Sequence, residues 1–285
     1  MTDGVGAATA LLIAAHGERL PGAGNDSVAR IAGAIRERGI VSEVAAGFIN
    51  GTPAIADALG GFAARRVIVY PLFASNGYFT RDRLVQLIDE ASGEDREIEI
   101  LPPLGHDRGL PALIVDHIRR AALENGVSPK SLTAILLGHG SRRNPASRHA
   151  TERIAAEIAK CEVCRDVAVA FLEERPHLDD AVQSVDGPAI VVGMFSGDGL
   201  HGARDAPRLV EQLGRSDVFY SGVIGSAPGI ENMVGCSVQL ALVAIAGRRD
   251  RTKVGDKDGD LSCHGVSEVS NGKIKIWRDH FDLAI

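Results

Sequence analysis

Aromatic side chains are scarce in this 285-residue sequence, at 4%, and Trp277 is the only tryptophan. A core must therefore be assembled mainly from Ala, Val, Ile and Leu. Cysteine is scarce as well, and four Cys cannot make a disulfide framework for a chain of this length. Basic charge is not in excess. The 31 Lys and Arg against 37 Asp and Glu leave a net charge of −6, which argues against a nucleic-acid or anionic-membrane binder. Long apolar runs are missing too: Val238–Ala246, the longest, falls short of the ~20 residues a bilayer requires. Asp3 and the lack of a basic segment ahead of Ala7–Ala15 make that run a buried strand rather than a leader, so a cytoplasmic protein is expected. What remains is an ordinary globular balance, 45% hydrophobic and 24% charged, which excludes disordered and fibrous classes.

The chain contains one unit twice. A strand-like run ends in His-Gly at Ala10–Ala15 before His16-Gly17, and again at Ala134–Gly138 before His139-Gly140. Counting on from each His, Phe48 and Phe171 lie 32 residues away, and Pro53 and Pro176 lie 37 away. Asp57-Ala58 pairs likewise with Asp180-Ala181, Gly77 with Gly199, and Leu104-Gly105 with Ile224-Gly225. Five coincidences at nearly constant offset mean a duplicated domain.

Within each unit, short apolar runs alternate with helical stretches. The second reads as strands at Leu132–Leu137, Asp166–Leu172, Ala189–Phe195 and Asp217–Val223. Helices are expected after Asn144-Pro145, at Leu178–Val185, from Pro207 to Leu213 and at Met233–Gly247. The first unit repeats the order. Continuous apolar strands separated by helices predict an α/β fold in which each repeat is a small parallel sheet with helices on both faces. The expected divisions are 1–126, 127–248 and a tail at 249–285 outside the repeat.

In open parallel sheets, ligands gather beyond the carboxyl ends of the strands. His139 ends the first strand of the second unit, Glu173 the second, and His201 lies in the loop after the third. Two imidazoles and a carboxylate suit a borderline divalent ion such as Co²⁺, Fe²⁺, Ni²⁺ or Zn²⁺. A lone His at such a place more often caps a loop, so the weight rests on the three converging.

Gly138-His139-Gly140-Ser141-Arg142, Phe171-Leu172-Glu173 with Pro176, and Gly199-Leu200-His201-Gly202-Ala203-Arg204-Asp205-Ala206-Pro207 resemble the class II tetrapyrrole chelatases of the CbiX/SirB type. The resemblance spans residues 10 to about 245 and includes the duplication. It implies two chelatase-like repeats facing each other across a cleft, and insertion of a divalent metal, Co²⁺ favoured over Fe²⁺, into sirohydrochlorin. It also implies that His139 and His201 hold the metal and relay pyrrole protons, with Glu173 assisting. The metal is a substrate, and no organic cofactor is expected; the protein acts as a monomer or homodimer. Arg142, Arg143, Arg148, Arg175, Arg204 and Arg208 cluster near the proposed rim, where Arg suits planar carboxylates. The first unit departs from the pattern: His16 is kept, but Asn50 stands for Glu173 and Phe79 for His201. That half is expected to lack a metal site and to offer His16 and Phe79, with Tyr78, to the macrocycle.

Other signals are weaker. Cys161 and Cys164 form a CxxC without a second pair at zinc-site spacing, and Cys263-His264 would complete a site only by folding the tail across the domain. Asp256–Asp260 has Leu261 where a calcium loop needs glycine. His106, His117, His149, His177 and His280 read as surface or loop residues. Gly272–Asp282 loosely resembles a closing strand of limonene-epoxide-hydrolase-like proteins, but eleven residues cannot make that fold. Ala15-His16-Gly17-Glu18 resembles the start of histidine phosphatases, yet Ala15 replaces the phosphate-holding Arg. A metal or tetrapyrrole carrier on the same fold is the remaining rival.

Overall fold

The computed structural model describes residues 8–17, 25–93, 95–199, 201–253, 269–270 and 273–274. The first repeat runs β1 (Thr9–Ala15), α1 (Asp26–Glu37), β2 (Glu43–Phe48), α2 (Ile55–Gly60), β3 (Arg66–Pro71), α3 (Leu84–Ser92), β4 (Glu97–Ile100) and α4 (Leu110–Glu124). The second runs β5 (Thr133–Gly138), α5 (Ala146–Lys160), β6 (Asp166–Phe171), α6 (Leu178–Gln183), β7 (Ala189–Gly193), α7 (Ala206–Gln212), β8 (Val218–Val223) and α8 (Ile230–Lys253). A short turn at Pro129–Ser131 joins them. Two further strands, β9 (Val269–Ser270) and β10 (Lys273–Ile274), pair antiparallel. Trp277, Asp256–Asp260, Cys263-His264 and His280 lie outside the described residues.

The sheets are copies of each other. Each has four parallel strands, in the orders β2-β1-β3-β4 and β6-β5-β7-β8. Successive residues of a strand face opposite sides, and both sides of β1 are buried. Leu11, Ile13 and Ala15 enter one apolar cluster, while Ala10, Leu12 and Ala14 enter another with α2 and α3. In β5, Leu136 and Ile135 divide in the same way, the latter joining α6. Such two-sided burial is why these strands read as unbroken apolar runs.

A layer of four helices, α1, α4, α5 and α8, lies between the sheets and forms one shared core. Here the last helix of each repeat packs against the other repeat's sheet. α4 packs on β7 and β8, and α8 packs on β3 and α1. Val234 and Val238 of α8 are wholly buried in this layer, as are Ile114 and Ile118 of α4. Burying each such side chain contributes ~1.5–3 kcal/mol. A buried polar clamp fixes the crossing: Asp107 accepts the Tyr70 hydroxyl at 2.8 Å, the Ser237 hydroxyl at 2.7 Å and the Gly109 N–H at 2.8 Å. Burial and the facing Asp107 carboxylate push the Tyr70 phenol well above its ordinary pKa.

The His-Gly pair recurs for a backbone reason. Gly17 and Gly140 have φ of 71° and 72°, and a Cβ at Gly140 would lie 2.8 Å from Phe171 Cβ and Glu174 Cγ. Only glycine turns the chain there without strain.

Candidate functional site

The connections leaving β5 and β7 diverge: the chain after β5 enters the central helical layer as α5, and the chain after β7 enters the outer layer as α7. Adjacent strands whose exits part in this way leave a crevice between them, the usual ligand position in an open α/β sheet. His139 follows β5 directly, and His201 begins a turn of π-helix at His201–Asp205 beyond β7. The sequence reading placed His201 in a loop; the π turn instead sets it on a held scaffold. Its ring meets that of His139 edge to face, with centroids 4.8 Å apart and planes at 85°.

Both imidazoles are oriented from behind. Nδ1 of His201 lies 2.8 Å from Oδ2 of Asp205, and Nδ1 of His139 lies 2.9 Å from the Gly140 carbonyl oxygen. An Nδ1 that faces an oxygen acceptor carries the proton, which leaves the Nε2 lone pair for a metal or an incoming proton. The Tyr220 hydroxyl donates to Gly202 O at 2.8 Å and so fastens the π turn to β8. The Tyr220 phenol is pushed above its ordinary value by burial and by Asp198. Asp205 was visible in the motif but carried no role there. Tyr220 had no sequence signal at all.

Glu173 takes its predicted place at the end of β6, its N–H donating to His139 O at 3.0 Å. β6 and β7 flank β5 on opposite sides. Among the described residues no three His, Cys, Asp or Glu side chains gather closely enough to hold an ion. The two histidines are thus brought together and the carboxylate is not.

The loop behind His139 is braced by Glu174, which the sequence reading missed. Its Oε1 accepts the Ser141 N–H at 3.0 Å and its Oε2 pairs with Arg148 at 2.9 Å. Burial alone would raise the Glu174 carboxyl, but the Ser141 N–H and Arg148 outweigh it and hold the pKa below the usual value. Arg148 also lies over the Phe171 ring, 4.5 Å from its centroid. Of the six rim arginines, Arg148 and Arg175 are committed to Glu174 and Asp180. Arg142, Arg143, Arg204 and Arg208 are exposed, and among the described residues they make no ion pair.

The first repeat keeps the geometry and changes the atoms. His16 meets Phe79 edge to face at 4.5 Å, and Phe79 begins a π turn at Phe79–Arg83. Asn50 takes the place of Glu173, its N–H donating to His16 O at 2.7 Å. Its side-chain amide lies 3.3 Å from Nε2 of His16, the very nitrogen the other repeat leaves open. Arg83 stands where Asp205 does. Tyr78 and Phe79 are both exposed, giving this side an apolar face.

The remaining candidates divide. Cys161 is exposed and Cys164 half-buried, and both thiols are directed to backbone oxygens. Burial raises the Cys164 thiol. His117, read as a surface or loop residue, is instead buried in α4 and lies 3.1 Å from Ser221 Oγ of β8. His177 caps α6. His106 and His149 line a cavity between the repeats.

The family described as CbiX matches residues 10–121 and again 133–240. A second family, described as limonene-1,2-epoxide hydrolase catalytic domain, matches residues 232–285. That match is wider than the eleven residues noted in the sequence. It begins within α8, whose Val234 and Val238 belong to the central core, and most of it lies outside the described residues. A curated relative, the probable sirohydrochlorin cobaltochelatase of Halobacterium salinarum, is 28% identical over 256 residues, covering 77% of this chain and 87% of its own. Among solved structures, CbiX, described as the terminal enzyme for biosynthesis of siroheme in denitrifying bacteria, is 29% identical, with a TM-score of 0.66 over 81% of this chain and 98% of that one. SirB from Bacillus subtilis with Fe³⁺ shares the fold at 19% identity, with a TM-score of 0.71 over 85% of this chain and 98% of that one. Among the described residues no helix is long and apolar enough to cross a membrane.

Proposed function

The chain belongs to the CbiX family, whose pattern it carries twice, and on that premise we propose that it is a sirohydrochlorin chelatase that exchanges two pyrrole protons for one divalent metal ion. The observation that carries this reading is the His139–His201 pair, two rings 4.8 Å apart whose Nδ1 atoms are both occupied from behind. Metal and macrocycle are both substrates. Insertion breaks two N–H bonds, forms metal–nitrogen bonds and releases two protons, so the site needs neutral bases that can also loosen a hydrated ion. Imidazole does both near pH 7. His139 and His201 are assigned to hold the ion through Nε2 and, as the ion passes to the macrocycle nitrogens, to accept the displaced pyrrole protons at the lone pairs so freed.

Glu173 is assigned to carry protons away from the rim rather than to ligate, because among the described residues no three His, Cys, Asp or Glu side chains gather closely enough to hold one ion. Two protein ligands leave most of the coordination sphere to water and the macrocycle nitrogens. That suits an ion which must leave the protein. His16 and Phe79 form the opposite wall, with Phe79 and Tyr78 offering apolar edges to a flat ring. Arg142 and Arg204, exposed and unpaired among the described residues, are assigned to the peripheral carboxylates of the substrate.

Co²⁺ is the metal proposed, on the name of the curated relative and because borderline imidazole donors suit it; Fe²⁺ is the alternative, on the siroheme role given for the relative of known structure. The test is anaerobic insertion into sirohydrochlorin followed by absorbance, with Co²⁺ and Fe²⁺ supplied separately and in competition. Multiple turnovers with either ion support a chelatase, and the faster ion names the pathway, cobalamin or siroheme. Stoichiometric binding with no turnover would make the protein a carrier.

A further inference from the structure

Arg30-Ile31-Ala32 of α1 and Arg153-Ile154-Ala155 of α5 occupy the same place in the two repeats. Both guanidiniums cross to the opposite half. Arg30 Nη2 donates to Ser226 O at 3.3 Å, and Arg153 Nη2 donates to Gly105 O. The duplication therefore supplies an internal comparison of two junctions built to one plan.

The junction at Arg30 is neutralised. Glu231 pairs with Arg30 at 3.3 Å, Ser226 Oγ donates to Asp198 at 2.8 Å, and Asp26 lies one turn earlier on α1. At the Arg153 junction every one of these is replaced. By the repeat offset, Pro111 stands for Glu231, Asn76 for Asp198, His106 for Ser226 and His149 for Asp26. Three acids are lost, and two imidazoles and an amide appear. A cavity of about 240 Å³ opens there, lined by Asn76 and His106 of the first repeat and Ala146, His149, Ala150 and Arg153 of the second. No carboxylate lines it. The nearby acids have their ion pairs elsewhere, Glu152 and Glu174 with Arg148, at 3.1 and 2.9 Å, and Glu157 with Lys160 at 3.0 Å, although Glu157 also acts through space on Arg153 and Glu174 on His149. Neither the His106 nor the His149 ring makes a hydrogen bond among the described residues.

We propose that this cavity is a carboxylate-binding subsite that receives one peripheral carboxylate of the tetrapyrrole. The assignment rests on the chelatase reading for the identity of the substrate. The anion preference rests on the cavity itself: the fixed charge of Arg153 repels a metal ion, while guanidinium, imidazole and amide N–H groups all donate. Partial desolvation, and after it the Arg153 charge, lower the His106 pKa. The position fits as well. One wall is the loop that leads from β3 to Phe79, and the other is the start of α5, seven residues after His139.

The experiment restores the acids of the other junction with Asn76→Asp plus His149→Asp, and leaves Arg153 and its bond to Gly105 in place. Sirohydrochlorin binding is measured by fluorescence quenching and insertion at saturating substrate by absorbance, with folding checked by circular dichroism. The double variant is expected to weaken binding on the order of tenfold, the scale of one charge-assisted hydrogen bond, with the saturated rate unchanged. Arg30→Gln, at the neutralised junction, should bind as the unmodified protein does, and the methyl-esterified macrocycle should not discriminate between the proteins. Unchanged sirohydrochlorin affinity in the double variant overturns the subsite. If the unmodified protein binds no sirohydrochlorin, the functional reading fails separately, and inorganic phosphate titrated against the His106 and His149 ring resonances then reads the cavity. Shifts lost in the double variant uphold an anion site, and no shift overturns it.

Discussion

Nδ1 of His201 and Oδ2 of Asp205 lie 2.8 Å apart, on the first and last residues of a single π turn. Residues four apart share one face of the turn, and π turns recur at functional sites. Asp205→Ala should lower single-turnover insertion on the order of 10–100-fold, the usual cost of losing a partner behind a ligating His. Asp205→Asn, which keeps an oxygen acceptor, should cost less. Equal rates for Asp205→Ala and the unmodified protein would remove Asp205 from the site.

The asymmetry between the repeats predicts one working site per chain. His139→Ala and His201→Ala should each reduce insertion by more than roughly 100-fold, since either leaves one imidazole. Glu173→Gln should slow insertion while leaving macrocycle binding nearly intact. His16→Ala should do less than either ligand variant, because the Asn50 amide already faces its Nε2. Stopped-flow insertion and cobalt titration on the same preparations check all four. Two equivalent ions per chain, or His16→Ala as damaging as His201→Ala, would sink the one-site reading.

The missing site can be rebuilt. Phe79 already meets His16 at 4.5 Å, close to the 4.8 Å of the His139–His201 pair, and Arg83 ends its π turn as Asp205 ends the other. Phe79→His with Arg83→Asp and Asn50→Glu should therefore raise bound cobalt from one to two equivalents per chain. Isothermal titration reads the outcome directly. A stoichiometry that stays at one would mean that ring geometry and an orienting carboxylate are not sufficient.

Buried His117 makes stability depend on pH. Burial pushes its imidazole below the ordinary value; the Ser221 hydrogen bond opposes this, Arg120 adds to it and Glu124 opposes it. Nδ1 has no hydrogen-bond partner. The folded state thus favours the neutral ring, whereas the unfolded chain takes up a proton near pH ~6.5. This contribution is fully present above ~6.5 and is lost as pH falls through that value toward the lowered one. Between pH 7.5 and 5.5 the thermal midpoint of the unmodified protein should drop further than that of His117→Gln. Equal drops would contradict the assignment.

Much of this was legible in the sequence because burial on both sides of a parallel sheet writes continuous apolar runs, and duplication writes them twice. β1, β5 and the His-Gly pairs were readable for that reason. The meeting of His139 and His201 followed from strand-end logic alone. The π turns were not readable, since one extra residue in a turn leaves no compositional mark, and Leu200-His201 looked like loop. Neither was the lack, among the described residues, of a third ligating side chain beside the pair. His117 could have been found: Leu113, Ile114, Ile118 and Ala121 surround it at helical spacing, so it shares their buried stripe. The crossing of α4 and α8 is a tertiary choice between two equivalent sheets, and no local pattern distinguishes them.

That crossing sets a timetable for synthesis. α1 covers β1 and β2 early, but β3 ends at Pro71 and the helix that covers it begins at Ile230, so the β3 part of that face waits roughly 160 residues of elongation for its cover. At ~5–20 residues per second this is on the order of 10–30 s. The molecule therefore becomes whole only when its last core helix emerges, and early termination in the second repeat would leave the first one unfinished as well.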